Sequence, residues 1–216
     1  MAAFFVIPMQ FIYENQIISN VFGNSSVFLL FLQKMYDMKS ASLDDITLSK
    51  SVIDMATVAN EFCYFFETVE GKDKEIILEF IQRILPLLYV KGSLLPNLQP
   101  KNPEANERFV TEEQWEVVFT TLRSIFARDD EFWLIDPQYI NETEPLKASL
   151  SENIADIYQD MKDFLLLMQK NTLPARENAI NECSELLANH WGYRIGNIFS
   201  QVHHLIYFNE EIVTPY

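Results

Sequence analysis

Residues 149–169 read SLSENIADIYQDMKDFLLLMQ, and residues 175–208 read ARENAINECSELLANHWGYRIGNIFSQVHHLIYF. Ser149 and Glu152 have the spacing of a capping box, in which a serine side chain accepts a hydrogen bond from the backbone at a helix start. Apolar residues then recur three and four positions apart, the period of an amphipathic helix. They are Ile154, Ile157, Met161, Phe164, Leu165 and Met168. The two segments predict two consecutive helices, and any functional site is expected here.

The second segment is predicted as one helix with an apolar side and a polar side. The apolar side consists of Ile180, Ala188, Trp191, Ile195, Ile198, Val202, Leu205 and Ile206. The polar side consists of His190, Arg194, Asn197, Gln201 and His204.

Asp156, Asp160 and Asp163 form a second stripe on the first of these helices. One interpretation is a solvated acidic face. The other starts from the repulsion between like charges on one helix face, which a facing His190 and Arg194 would relieve. We therefore hypothesise that Asp156 and Asp160 meet His190 and Arg194, and near-normal stability of Arg194→Asp would argue against that pairing.

Two glycines, Gly192 and Gly196, lie four positions apart inside the second helix, and Ser200 continues the row. Each glycine costs a helix about 1 kcal/mol relative to alanine. Close approach of another backbone or a ring is the usual compensation, so we favour packing. A groove for a ligand is the alternative.

Part of the sequence is similar to a known family. The residues that carry the similarity are Ser149-Leu150-Ser151, Ala155-Asp156-Ile157-Tyr158, Asp160, Lys162, His190-Trp191-Gly192 and His203, with LPLLYVKGSLLP at 85–96 and Asp136-Pro137. Over roughly residues 50–208 the chain resembles the bacterial family named domain of unknown function 5063. Arg194 stands where a second histidine often follows His-Trp-Gly, which puts two-histidine chemistry in doubt. The resemblance implies a helical fold and no particular activity.

Composition describes an acidic globular chain of 216 residues with 49% hydrophobic residues and a net charge of −15. Five glycines are too few for a turn-rich β protein. The charge would repel phosphates, so nucleic acid and anionic membrane surfaces are improbable partners. The simplest interpretation of this acidic charge is a soluble cytoplasmic protein. A more specific interpretation is a protein that binds a cationic partner. Cys63 and Cys183 lie among apolar positions, as buried free thiols of a reducing compartment do.

Residues 1–37 differ from the rest because no Lys or Arg precedes Lys34. A secretory signal would begin with basic residues, and the longest apolar run, residues 27–32, is far below the ~20 residues of a membrane span. We expect an apolar extension outside the native domain, with translation starting at Met35 or Met38. The alternative is a hydrophobic anchor or an extra packing element. Residues 38–216 are expected to form one helical domain.

Three earlier helices complete the prediction of an all-α, largely up-and-down bundle of about five main helices. The first begins near residues 44–47, with Ser42 or Asp44 as its cap, and ends before Gly71. It carries Glu61 and Glu67, either of which could face the later polar residues. The second covers about residues 72–91, with a kink at Pro86 and an end at Gly92. The third follows the capping box of Thr111 and Gln114.

A long irregular connection is predicted at residues 128–147, before the last two helices. It carries Asp129, Asp130, Phe132, Trp133, Asp136 and Tyr139. Loops of this composition often carry function, but they also lie across a bundle and close it. We favour the second role.

Catalytic signatures are absent: the sequence has no Gly-rich phosphate loop, no GxSxG and no HExxH. No glutamate precedes a histidine by three residues, which excludes the diiron bundle pattern. His190 and His204 would lie about 21 Å apart on one helix, too far to share a metal. A metal would need one histidine with Asp156 or Asp160, and we predict neither metal nor cofactor.

Two classes of function remain. The favoured one is a helical interaction or accessory module with an unknown protein partner. The alternative is a small-molecule-binding protein or an acid/base enzyme that uses the polar residues of the last helices, with or without the assistance of a metal. Its candidate site residues are Asp156, Tyr158, Asp160, His190, Trp191, Arg194 and His203. A deep pocket lined by them would favour the enzyme, and full mutual pairing would favour the module.

Overall fold

The computed structural model describes residue 33 and residues 45–134, 145–170 and 172–208. These residues contain six α-helices and one two-stranded antiparallel sheet. The helices are α1 (Lys50–Glu67), α2 (Lys74–Ser93), α3 (Glu112–Phe126), α4 (Leu150–Gln169), α5 (Leu173–Asn189) and α6 (Trp191–Tyr207). The strands are β1 (Glu131–Leu134) and β2 (Leu146–Ser149), and short 3₁₀ turns cover Ile46–Leu48, Pro103–Ala105 and Ala127–Asp129. The predicted all-α bundle is confirmed.

Helix α4 is the centre of the bundle, because it contacts α1, α3, α5 and α6. Its whole predicted apolar stripe is buried, and so are Asn153, Asp160 and Asp163. A helix that is covered on several sides needs partners for its polar side chains as well. The charged groups of α4 therefore determine which polar residues its neighbours present.

Helices α1 and α2 run antiparallel, as two contacts near their opposite ends show. Nζ of Lys91 lies 2.8 Å from a carboxylate oxygen of Asp54, and the rings of Phe65 and Phe80 stack with centroids 3.6 Å apart. Helix α2 also packs against α6. It is helical through Pro86 and ends at Ser93.

Of the two predicted capping boxes, one is complete, and the other is present in its serine half. Thr111 and Gln114 form a complete capping box at the start of α3, and Oγ of Ser149 accepts from the backbone N–H of Glu152. Asp45 caps the 3₁₀ turn Ile46–Leu48, where its carboxylate accepts from Thr47 N–H, and Ser49 is the N-cap residue of α1. The proposed caps Ser42 and Asp44 lie outside the described residues.

The predicted single last helix is wrong, because the chain breaks at His190 between α5 and α6. The backbone of His190 has φ −140° and ψ −89°, outside the helical region. Ala188 falls in the last turn of α5 and is exposed rather than buried. The break redirects the chain so that α6 packs against both α2 and α4.

The connection at residues 128–147 is not wholly irregular, since β1 and β2 pair with Glu131 opposite Ser149 and Leu134 opposite Leu146. Phe132 is buried while Trp133 is 70% exposed, as alternation along a strand requires. Asp136 and Tyr139 lie outside the described residues, as do residues 209–216 and all of residues 1–37 except Gln33. Among the described helices none is long and apolar enough to cross a membrane.

Candidate functional site

The predicted pairing between α4 and α6 is confirmed at Asp156. One carboxylate oxygen of Asp156 lies 2.8 Å from a guanidinium nitrogen of Arg194. The other accepts a hydrogen bond of 3.0 Å from Nε1 of Trp115 on α3. Asp156 therefore joins three helices. We call Asp156, Asp160, His190 and Arg194 the polar seam.

The second contact of the polar seam joins His190 to Asp160, with Nδ1 of the ring 2.5 Å from Oδ2. An ionised carboxylate only accepts, so Nδ1 carries the proton. The Asp160 side chain is 1% exposed and that of His190 is 33% exposed. The hydrogen bond from Asp160 raises the pKa of His190 above its ordinary value, although burial acts in the opposite direction. The buried carboxylate of Asp160 thus favours the charged, imidazolium form of His190.

The third aspartate of the stripe has a different role. Oδ1 of Asp163 accepts from the backbone N–H groups of Phe109, at 2.7 Å, and Val110, at 2.9 Å. These bonds fasten the segment before α3 to the middle of α4. Burial raises the pKa of Asp163, while the two backbone donors act against that shift. Asp163 is therefore neither on a solvated acidic face nor paired with a basic side chain.

A small cavity lies beside the polar seam, between α4 and α5. Its volume is about 10 Å³, and its lining includes Asp160, Asp163, Arg108 and Glu182. A cavity of this size holds about one water molecule. It is not the deep pocket that an enzyme of the predicted alternative class would need.

Three of the seven candidate residues lie outside the polar seam. The hydroxyl of Tyr158 donates to Glu67 on α1 at 3.0 Å. Trp191 is fully buried, and its Nε1 donates to the backbone oxygen of Cys183. His203 is exposed beside the ring of Tyr207 on the far part of α6. The structure therefore brings four of the seven candidate residues together in the polar seam. The other three lie apart from it and from one another.

The packing interpretation of the glycines holds at one position and fails at the other. A Cβ on Gly192 would lie 2.1 Å from the backbone oxygen of Leu187, whereas a Cβ on Gly196 would meet nothing within 4 Å. Gly92, expected to end α2, instead lies in its last turn, where a Cβ would come 2.4 Å from the Trp191 ring. The glycines at 92 and 192 thus allow close packing around the break at His190.

Several functional contacts were missed by sequence reasoning. Asp130 is 1% exposed and accepts hydrogen bonds from Ser149 Oγ, Ser151 Oγ and Ser151 N–H at the start of α4. Glu67 meets Tyr158 and Lys162, so it does not face the polar seam. Glu61 is buried, and this burial raises its pKa to about 7. The contact of Trp115 with Asp156 was also missed, and it alone could have been anticipated from the sequence, because an indole N–H that is removed from water needs an acceptor.

The two cysteines are free and buried, as predicted. Burial raises the pKa of both Cys63 and Cys183. A thiol that stays protonated in an apolar environment is a poor nucleophile, so neither cysteine is suited to catalysis.

Comparison with known families agrees with the fold and the residues just described. The model of DUF5063, a domain of unknown function, matches residues 46–208. The chain belongs to the DUF5063 family. The match spans all six helices and the polar seam.

One solved structure is similar over most of this DUF5063 chain. It is the crystal structure of protein BF1032 from Bacteroides fragilis, with 33% sequence identity and a TM-score of 0.68. The similar region covers 77% of this chain and 99% of the other. Comparison with curated proteins finds no match. The comparisons therefore establish a family and a fold but no activity.

Proposed function

We propose that this DUF5063 chain is an interaction or accessory module that binds a protein partner through an apolar stripe on α2. The stripe consists of Leu87 and Val90 on α2 and Leu94, the residue that follows its last turn, which are 42%, 52% and 58% exposed. The spacing of Leu87 and Val90 places them on one face of consecutive turns, and Leu94 adjoins that face at the end of the helix. This exposed stripe is the observation that carries the proposal, because adjoining exposed apolar side chains commonly mark protein interaction sites.

The polar seam supports the same proposal because it is poorly suited to bind a substrate. Asp156 and Asp160 are each paired with a basic side chain of the same protein. Groups that satisfy one another in this way are less available to a substrate. The neighbouring cavity of about 10 Å³ leaves little room for one.

The partner we propose carries an apolar helix face that lies along the stripe, a recognition mode used by amphipathic helices. The net charge of −15 favours basic residues around that face, since complementary charges speed association and suppress wrong partners. We propose that this takes place in the cytoplasm, where the free thiols of Cys63 and Cys183 would stay reduced. The module needs no cofactor for this role.

The test uses two triple variants. Leu87→Ser, Val90→Ser and Leu94→Ser together remove the stripe. Val117→Ser, Leu146→Ser and Leu173→Ser together remove three apolar side chains that are also exposed but lie on separate elements. Each protein is used to capture partners from its host, and each captured partner is then purified and titrated directly.

The expected result is that a purified partner binds the parent and the scattered variant with equal affinity, and the stripe variant at least tenfold more weakly. Sedimentation velocity on the parent shows whether that partner is a second copy of this chain. Equal binding by all three proteins would contradict the proposed surface.

A second candidate function is supported by one observation at His190. Its Nε2 has no partner among the described residues, while Nδ1 is held by the buried Asp160. A histidine oriented by a carboxylate is a common general acid or base. No cluster of His, Cys, Asp and Glu suited to a metal occurs in the described part of the chain, so this candidate would work without one. A small-molecule screen in which hits shift the NMR signals of His190 but not those of His203 would support it.

A further inference from the structure

The cavity between α4 and α5 is lined by two aspartates, each of which has one carboxylate oxygen that lacks a donor. Oδ1 of Asp160 and Oδ2 of Asp163 are buried and accept no hydrogen bond from the described protein. Their residues are only 4% and 6% exposed, and both line this cavity. A buried acceptor without a donor destabilises the fold. The site is thus arranged to receive a hydrogen-bond donor of about the size of one water molecule.

The charges around the cavity define that donor further. Three carboxylates line it, those of Asp160, Asp163 and Glu182. Two positive charges oppose them: Arg108, bonded to Glu182 at 2.9 Å, and His190 when protonated. With all three carboxylates ionised, one negative charge remains in excess, and burial of that charge raises the pKa of Asp163. A water molecule would supply donors without neutralising it. The occupant therefore combines a single positive charge with at least two directional donors.

A metal ion fits this site less well than an N–H donor. The described residues hold no group of three or more His, Cys, Asp and Glu positioned for a metal. An ammonium group instead carries several N–H donors and one charge. Apolar side chains, among them Leu167 and Leu186, line the remainder of the cavity.

We propose that this cavity binds an ammonium group, which donates to Oδ1 of Asp160 and Oδ2 of Asp163. The group is the free ammonium ion, because a cavity of about 10 Å³ holds a molecule of the size of water and leaves no room for an alkyl chain. This site does not depend on the α2 stripe, so the two proposals stand or fall separately.

The test compares the melting temperature of the full chain at pH 7 in four chloride salts at equal ionic strength. The cations are ammonium, methylammonium, sodium and tetramethylammonium, the last of which has no N–H donor. Ligand binding to the folded state raises the melting temperature. We expect ammonium to raise it by about 2–6 °C over tetramethylammonium and sodium. Methylammonium, whose methyl group exceeds a cavity of about 10 Å³, should not raise it in this way, and an equal effect of methylammonium would contradict the proposed fit.

Asp163→Asn supplies the matched variant. The asparagine oxygen can still accept from Phe109 and Val110, while an NH₂ group replaces the unpartnered oxygen and removes one negative charge from the cavity. We expect this variant to fold, as its circular dichroism would show, and to lose the ammonium effect. Glu152→Gln, an exposed carboxylate on the same helix, should keep it. Equal melting temperatures of the parent in all four salts would overturn the proposal, as would an equal effect of sodium or a persistent ammonium effect in Asp163→Asn.

Discussion

Arg194 shows how a single side chain relieves a crowded acidic stripe. It neutralises Asp156, which also accepts the indole N–H of Trp115. Removing one partner of a partly buried pair leaves the other carboxylate uncompensated. The residue thus belongs to the packing of three helices and not to a solvent-exposed surface.

Arg194→Asp is expected to lower the free energy of unfolding by about 1–3 kcal/mol, because it places a second carboxylate against Asp156. Urea denaturation measures the change. Arg83→Asp is the control, since Arg83 and Glu79 form an exposed pair within one helix, which contributes only about 0.5 kcal/mol. Equal losses in the two variants would argue against a specific role for Arg194.

His190 is expected to titrate above its ordinary pKa of about 6.5, because the hydrogen bond to Asp160 favours the imidazolium. Asp156 adds to this shift, and Arg194 opposes it. The folded state then binds the proton more tightly than the unfolded state. This contribution to stability is fully present below about pH 6.5 and is lost as the pH rises through the raised pKa.

NMR titration of the His190 ring measures this pKa directly. Asp160→Asn removes the charge that favours the imidazolium and should bring the pKa of His190 down. A parent value at or below about 6.5 would contradict the assignment.

At the scale of elements, the start of α4 depends on a residue from outside the helix. The carboxylate of Asp130 accepts three hydrogen bonds there, from the backbone and side chain of Ser151 and from Ser149. An anion at a helix N-terminus is also favoured by the helix dipole. Asp130 therefore connects the end of α3 to the central helix.

Asp130→Ala is expected to lower the free energy of unfolding by about 2–4 kcal/mol, because it removes a cap and leaves buried donors without an acceptor. Chemical denaturation followed by circular dichroism measures the loss. The neighbouring exposed residue provides the comparison, and Glu131→Ala should change the denaturation midpoint little. A small loss in Asp130→Ala would mean that water replaces the carboxylate.

Substitution by alanine is expected to change stability in opposite directions at the three glycines near the junction of α2, α5 and α6. Gly92→Ala would press a Cβ against the buried Trp191 ring, and Gly192→Ala would press one against the Leu187 backbone. Both should lose about 1–3 kcal/mol of stability. Gly196→Ala meets nothing within 4 Å and should gain about 0.5–1 kcal/mol from lower chain entropy. Thermal denaturation of all three measures these signs, and a stabilised Gly92→Ala would contradict the packing.

At the scale of the whole molecule, the sequence predicted what short-range periodicity encodes. The apolar stripe of α4 and the capping box of Thr111 both follow from spacing within one helix. The pairing of Asp156 and Asp160 with α6 was predictable because charge complementarity has few solutions among so few basic residues. These interactions required no knowledge of the full arrangement of helices.

The missed features depend on contacts distant in sequence. The break at His190 has no proline signal, and the apolar period continues through Trp191. Asp130 acts on residues about twenty positions later, and Tyr158 reaches Glu67 on another helix. Short strands such as β1 and β2 are stabilised mainly by their cross-strand neighbours. Such positions become visible only once the chain is folded.

We propose that the polar seam stabilises the fold and that a partner binds elsewhere, at the α2 stripe. The most direct test is the melting temperature of Asp156→Ala, Asp160→Ala and His190→Ala beside the parent, with the exposed Glu152→Ala as control. Each seam variant should melt lower by about 3–8 °C, and the control should match the parent. Seam variants that melt at the same temperature or higher would contradict the claim, because groups held against stability are typical of functional sites.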